Sequence, residues 1–180
     1  MGTPAFSADF QKGAAAYESG DYATALREWT PLAEQGLARV QFNLGLMYAK
    51  GKGVPKNNKT AVKWYRLAAK QGDADAQYNL GVMYAKGNGV PKNNKTAVKW
   101  FRLAAEQGYA QYNLGLMYAK GRGVIRDYVY AHMWGNIAAS NGYEGGGKLR
   151  DLVAKQMTPS QLETAQKLAR ECVRKKYKGC

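Results

Sequence analysis

Only two cysteines occur in the 180 residues, Cys172 and Cys180, and both stand at the C-terminal end. Two thiols cannot build a disulfide framework or a four-ligand zinc site. Histidine occurs once, as His132. Nucleophilic catalysis needs a base beside its nucleophile, and His132, followed by Met133 and Trp134, reads as a packed histidine on an amphipathic helix. No metal-ligand spacing is present, so no metal or cofactor is expected. No apolar run approaches the roughly 18–20 residues of a membrane span. A signal-peptide pattern is also missing: Met1-Gly2-Thr3-Pro4 leads straight into Ala5-Phe6-Ser7-Ala8-Asp9. Such a start is expected of an exported domain, periplasmic or secreted, given a new initiator methionine. Acidic residues are scarce, 13 against 27 Lys and Arg, for a formal charge of +14. A surplus of that size speeds encounters with acidic partners and leaves the fold undetermined. Strand-like alternation is absent throughout.

What the chain does contain is self-similarity, and that decides the architecture. The stretch from Gln41 to Gly51 recurs from Gln77 to Gly87, 36 residues on, and from Gln111 to Gly121, 34 residues further. Val54 to Trp64 recurs unchanged as Val90 to Trp100. Each unit reads as two helices. The first, over 74–86, sets Ala76, Leu80, Met83 and Tyr84 on one apolar stripe. The Gly87-Asn88-Gly89-Val90-Pro91 segment then breaks the helix. Asn93 is the expected N-cap of the second helix, which runs from Asn94 to Gln107 with Gly108 at its C′ position. Asn57 and Asp127 hold the matching cap positions. Trp64, Trp100 and Trp134, with Leu44, Leu80 and Leu114, form two expected core ladders. Gln107 to Gln111 is two residues shorter than Gln71 to Gln77, so the next first helix is expected to start later or tilt.

These features predict one all-α domain over 1–180, a right-handed α-solenoid of about five antiparallel helix pairs. A divergent pair covers 6–36, with helices over 10–19 and 22–35. Repeats cover 37–72, 73–108 and 109–142. A capping pair over 143–180 has helices at 147–156 and 159–176, the last begun by Thr158 as N-cap with Gln161 at N3.

The pattern Ala76, Leu80, Gly81, Tyr84, Gly87, Gly89, Val90, Pro91, Ala97, Trp100, Ala104, Ala105 and Gly108 resembles the Sel1-like repeat, a relative of the tetratricopeptide repeat. The third unit departs from it: Ile125 stands at the Pro position, and Gly135 and Asn136 stand where Phe101 and Arg102 do. The resemblance implies a non-catalytic adaptor. Cysteine-rich secreted relatives imply a β-lactam-interacting protein instead, but their cysteine pair in every repeat is missing here.

Two groups of residues are the candidate sites. On the first helices, Asn43/Met47/Lys50, Asn79/Met83/Lys86 and Asn113/Met117/Lys120 recur at i, i+4 and i+7, within about 60° of one another on a helix. In tetratricopeptide-like stacks these helices line the concave groove, so the expected partner is a protein or acidic peptide. Asn would grip its backbone, Lys its carboxylates and Met its apolar groups. A second basic ridge, Lys50, Lys52, Lys56, Lys59, Lys63, Lys92, Lys95 and Lys99, makes nucleic acid or an envelope glycan the next partner class. Trp64, Tyr65, Trp100 and Phe101, which interleave with it, follow core spacing. Cys172 and Cys180 are eight residues apart, about 12 Å along an unbroken helix. They can bond only if that helix ends near Lys176 and Gly179 turns the chain back.

Overall fold

Side-chain caps and left-handed glycines fix most of the ends of the repeat helices. The computed structural model describes the backbone of residues 4–180 and the side chains from Asp9 on, so Met1–Thr3 lie outside it. The described residues form ten α-helices and no strand, an all-α solenoid of helix pairs. They are α1 (Pro4–Ser19), α2 (Tyr22–Glu34), α3 (Ala38–Lys50), α4 (Asn58–Lys70), α5 (Ala74–Lys86), α6 (Asn94–Leu103), α7 (Gly108–Lys120), α8 (Tyr128–Ser140), α9 (Glu144–Ala154) and α10 (Pro159–Arg174). The chain groups into two units, Met1–Pro91 and Lys92–Cys180.

In the first unit α1 packs on α2, α2 on α3, α3 on α4 and α4 on α5. Asp21 and Asn57 cap α2 and α4, accepting from the amides of Thr24 and Thr60. α3 and α5 end on left-handed Gly51 and Gly87, and the amide of Asn57 then bonds the Tyr48 carbonyl at 2.9 Å, closing the turn. A missing side chain lets each pair close up. A Cβ on Gly45 would stand 2.6 Å from the Tyr65 ring, and one on Gly13 would strike the Trp29 indole. The buried ring of α4 is therefore Tyr65, 1% exposed, whereas Trp64 is half-buried. The tryptophan ladder expected from sequence is one residue out of place here; the leucine ladder is not, since Leu44 and Leu80 are fully buried.

In the second unit α6 packs on α7, α7 on α8, and α8 on α9 and α10. Asn93 and Asp127 cap α6 and α8, and Thr158 with Gln161 forms a capping box on α10. The short segment before α7 does not delay the start of that helix. α7 keeps all 13 residues and begins at Gly108, while α6 stops at Leu103 after 10 residues, against 13 in α4. Residues 104–107 are spent as a turn, because unwinding one helical turn recovers the length that the two missing residues would have spanned. Gly108 is thus the first residue of α7 rather than the C′ residue of α6. In α8 the roles of the rings change. The backbone of α9 reaches Gly135, where a Cβ would meet Arg150 N and Gly146 O at 3.0 Å, and Trp134 is fully buried.

Candidate functional site

The helix rotation set by the buried leucines decides which side chains of α3, α5 and α7 face outward. Met47, Met83 and Met117 turn inward and are 0%, 7% and 6% exposed. They belong to the core, not to a binding stripe. The outward aliphatic position is one residue earlier, at Leu46, Val82 and Leu116, all partly exposed. Sequence reading passed over these three. Their signal was available: they lie about 60° outside the Asn row on a helical wheel, opposite the buried leucines. Lys50, Lys86 and Lys120 are exposed in the last turn of their helices, where the helix dipole favours a cation. Asn43, Asn79 and Asn113 are partly exposed. Asn79 and Asn113 donate at 2.8 Å to the carbonyls of Asp75 and Tyr109, one turn back, which leaves each amide oxygen pointing away from that bond. Tyr78 and Tyr112 flank the aliphatic row on its other side, both partly exposed.

The basic ridge is divided. Lys56, Lys59, Lys63, Lys92, Lys95 and Lys99 are exposed. Lys52 is not part of it: its ammonium lies 4.5 Å from the Tyr17 ring centre and 4.9 Å from that of Tyr22, and these contacts raise its pKa. Tyr65 and Phe101 are buried at 1% exposure each, so no aromatic platform accompanies the lysines at those positions.

His132 is 5% exposed, and its Nδ1 meets no hydrogen-bond partner among the described residues. Burial, then the charge of Arg150, holds its pKa below the ordinary 6.5. No hydroxyl or thiol is hydrogen-bonded to it, and no group of three metal-ligating side chains occurs among the described residues. Ser160 is an exposed residue in the first turn of α10. Cys172 and Cys180 form a disulfide with Cα atoms 5.7 Å apart, since α10 ends at Arg174 and Gly179 adopts a φ of 74°.

A row of buried glutamines was also missed. Gln41 and Gln77 donate from Nε2 to the carbonyls of Ala33 and Ala69, at 2.9 and 3.2 Å. Gln111 donates to the Ala105 carbonyl at 2.6 Å. Each amide holds a residue at or just beyond the C-terminal end of the preceding helix. The Gln41 and Gln111 oxygens in turn accept from Gln71 at 2.8 Å and from Asn141 at 3.0 Å.

The Sel1 repeat matches this sequence three times, over residues 38–73, 74–109 and 109–143. The chain belongs to the Sel1 repeat family. Among solved structures it is similar to a Sel1 repeat protein from Oxalobacter formigenes, with 36% identity and a TM-score of 0.71 over 77% of this chain and 56% of that one. It is also similar to a protective antigen present in uropathogenic Escherichia coli strains that displays an SLR fold. There the identity is 32% and the TM-score 0.65, over 94% of this chain and 45% of that one. The chain thus spans about half the length of these two Sel1-type structures. No curated protein matches it. Sel1 repeat proteins are in general scaffolds for protein interaction, and no described helix here is long and apolar enough to cross a membrane.

Proposed function

We propose that this Sel1 protein is a non-catalytic scaffold that docks a protein or peptide segment on the outward faces of α3 and α5. The observation that carries the reading lies in the first unit: the outward residues Leu46 of α3 and Val82 of α5, bordered by Asn and Lys on one side and, on α5, by Tyr78 on the other; α7 repeats the pattern within the second unit. A mixed surface of this kind suits an extended peptide: the Asn79 amide oxygen accepts from its backbone, the Lys50 and Lys86 ammoniums meet its carboxylates, and Leu46 and Val82 take its apolar side chains. Stacks of the tetratricopeptide type bring such faces together in their groove. The methionines drop out of the contact set. Export is part of the proposal, because the Cys172–Cys180 disulfide is a bond that persists in oxidising compartments.

The test is capture from cell-envelope extract at low and moderate salt, with wild type beside Asn79→Ala/Lys86→Ala and Val82→Asp. A discrete protein retained at moderate salt by wild type and lost by both variants supports the docking face. Diffuse capture of polyanions, lost with salt and equal in all three proteins, would replace it with charge-driven binding through the lysine ridge.

A further inference from the structure

The second unit holds a cavity lined by no residue of a first helix, and two departures from the repeat pattern create it. One is the loss of the last turn of α6, which ends at Leu103, a residue 60% exposed. The other is the hook after α10. There Lys176 and Tyr177 take left-handed φ values of 49° and 62°, the Tyr177 amide bonds the Cys172 carbonyl at 2.9 Å, and the disulfide ties Cys180 back to the helix. Left-handed backbone is costly for residues with a Cβ, so the hook holds its shape through these ties. Asn141 adds another, donating to the Tyr177 hydroxyl at 3.1 Å.

Between the α6 end and the hook is a cavity of 700 Å³, bounded by Lys99, Arg102, Leu103 and Glu106 on one side and by Lys176, Tyr177, Lys178 and the disulfide on the other. That volume falls within the range of about 300–1,000 Å³ in which ligands are commonly held. Four cationic side chains stand there against one carboxylate side chain, that of Glu106. Arg102 spends one N–H on the Tyr118 hydroxyl at 2.6 Å, which aims a guanidinium carrying four further donors. Leu103 and Tyr177 supply an apolar patch among these charges.

We propose that this cavity is a second binding site, for an acidic peptide segment that places one apolar side chain against Leu103 and Tyr177 while its carboxylates meet Lys99, Arg102, Lys176 and Lys178. The disulfide holds the far wall, so binding requires it. The site uses no residue of α3 or α5 and stands or falls apart from the docking face proposed above.

The experiment is fluorescence anisotropy at moderate salt with a labelled acidic hexapeptide, four glutamates flanking two central leucines. Its counterpart with central glycines is measured in parallel. The leucine peptide is expected to saturate and to bind at least tenfold tighter than the glycine peptide. Leu103→Asp, at an exposed position, and the Cys172→Ala/Cys180→Ala variant should each weaken it at least tenfold with helical circular dichroism unchanged. Lys178→Glu should weaken it several-fold. No saturable binding, equal affinity for the two peptides, or an affinity within twofold of wild type in Leu103→Asp would overturn the proposal. Loss of binding in Val82→Asp with retention in Leu103→Asp would also overturn it, and would move the peptide to α5.

Discussion

Replacing Gln111 by methionine isolates the worth of the buried amide row, because the two side chains have nearly the same length and volume. Gln111 is fully buried, donates to the Ala105 carbonyl and accepts from Asn141. Gln111→Met strands that carbonyl at a residue only 1% exposed, at a cost of about 1–3 kcal/mol. Asn141 is exposed and keeps its bond to Tyr177, so its released N–H is taken up by water and adds little. Burying a thioether in place of an amide returns up to about 1 kcal/mol. The net expected loss is about 1–2 kcal/mol, or a fall in Tm of roughly 2–8 °C for a chain of this size. Urea titration followed by both tryptophan fluorescence and circular dichroism should show a lower midpoint with an unchanged slope. If two transitions separate, as nearest-neighbour stacks allow, the shift belongs to the one reporting the second unit. Asn113→Ala is the control, since Asn113 makes only a local bond at a partly exposed position, and its expected cost is below about 0.5 kcal/mol. A wild-type midpoint for Gln111→Met, or an equal loss for Asn113→Ala, would refute the reasoning.

Three further outcomes follow from the same geometry. His132 occupies the position held by buried Val62 and Val98 in the earlier repeats, and its pKa is lowered by burial. The unfolded chain therefore takes up a proton before the folded one does, and wild-type stability should fall as pH drops below 6.5 through the lower folded value. His132→Val should flatten that slope in melts between pH 7 and 5, and an unchanged slope would discard the account. Gly123 has a φ of 77° and a would-be Cβ 2.7 Å from Lys95 N, whereas Gly20, at 86°, has nothing within 4 Å of its own. Gly20→Ala should cost about 1–2 kcal/mol from backbone strain alone, and Gly123→Ala about 1–3 kcal/mol more; equal losses in thermal melts would rule out the steric part. Ile125 is 90% exposed in a turn whose counterparts carry Pro55 and Pro91. Ile125→Pro should stabilise by about 0.4–1 kcal/mol, and a lower Tm would mean that the three turns differ.

The caps were legible because they are local. Asn57, Asn93, Asp127 and Thr158 cap by bonding an amide within three residues, and no tertiary information is needed. The two-residue shortening between Gln107 and Gln111 was legible too, but not which neighbour would absorb it: that depends on the packing of Ala110, Gln111 and Leu114, which fixes α7 and leaves α6 to yield. Helical rotation was the weakest inference. Asn, Met and Lys share a face within about 60°, and the core boundary runs between Met and the other two, a distinction that repetition alone does not contain. The same applies to Trp64 against Tyr65, where Gly45 makes room for the second ring and not the first. Polar residues inside the core were read past, because glutamine looks like a surface residue until its bond to the preceding helix is seen.

That bond bears on how such a chain acquires its copy number. A glutamine side chain both donates and accepts, so a unit that brings its own glutamine also brings the means to hold the helix before it and to receive the amide after it. Recombination that inserts one 36-residue copy carries the bond to the preceding helix along with it, as Gln41 and Gln77 both show. The identity of Val54–Trp64 with Val90–Trp100 is the sequence such an event would leave behind. The end of the array is where the substitution is made, with the shorter Asn141 at the place of Gln71, bonded to Tyr177 of the terminal hook.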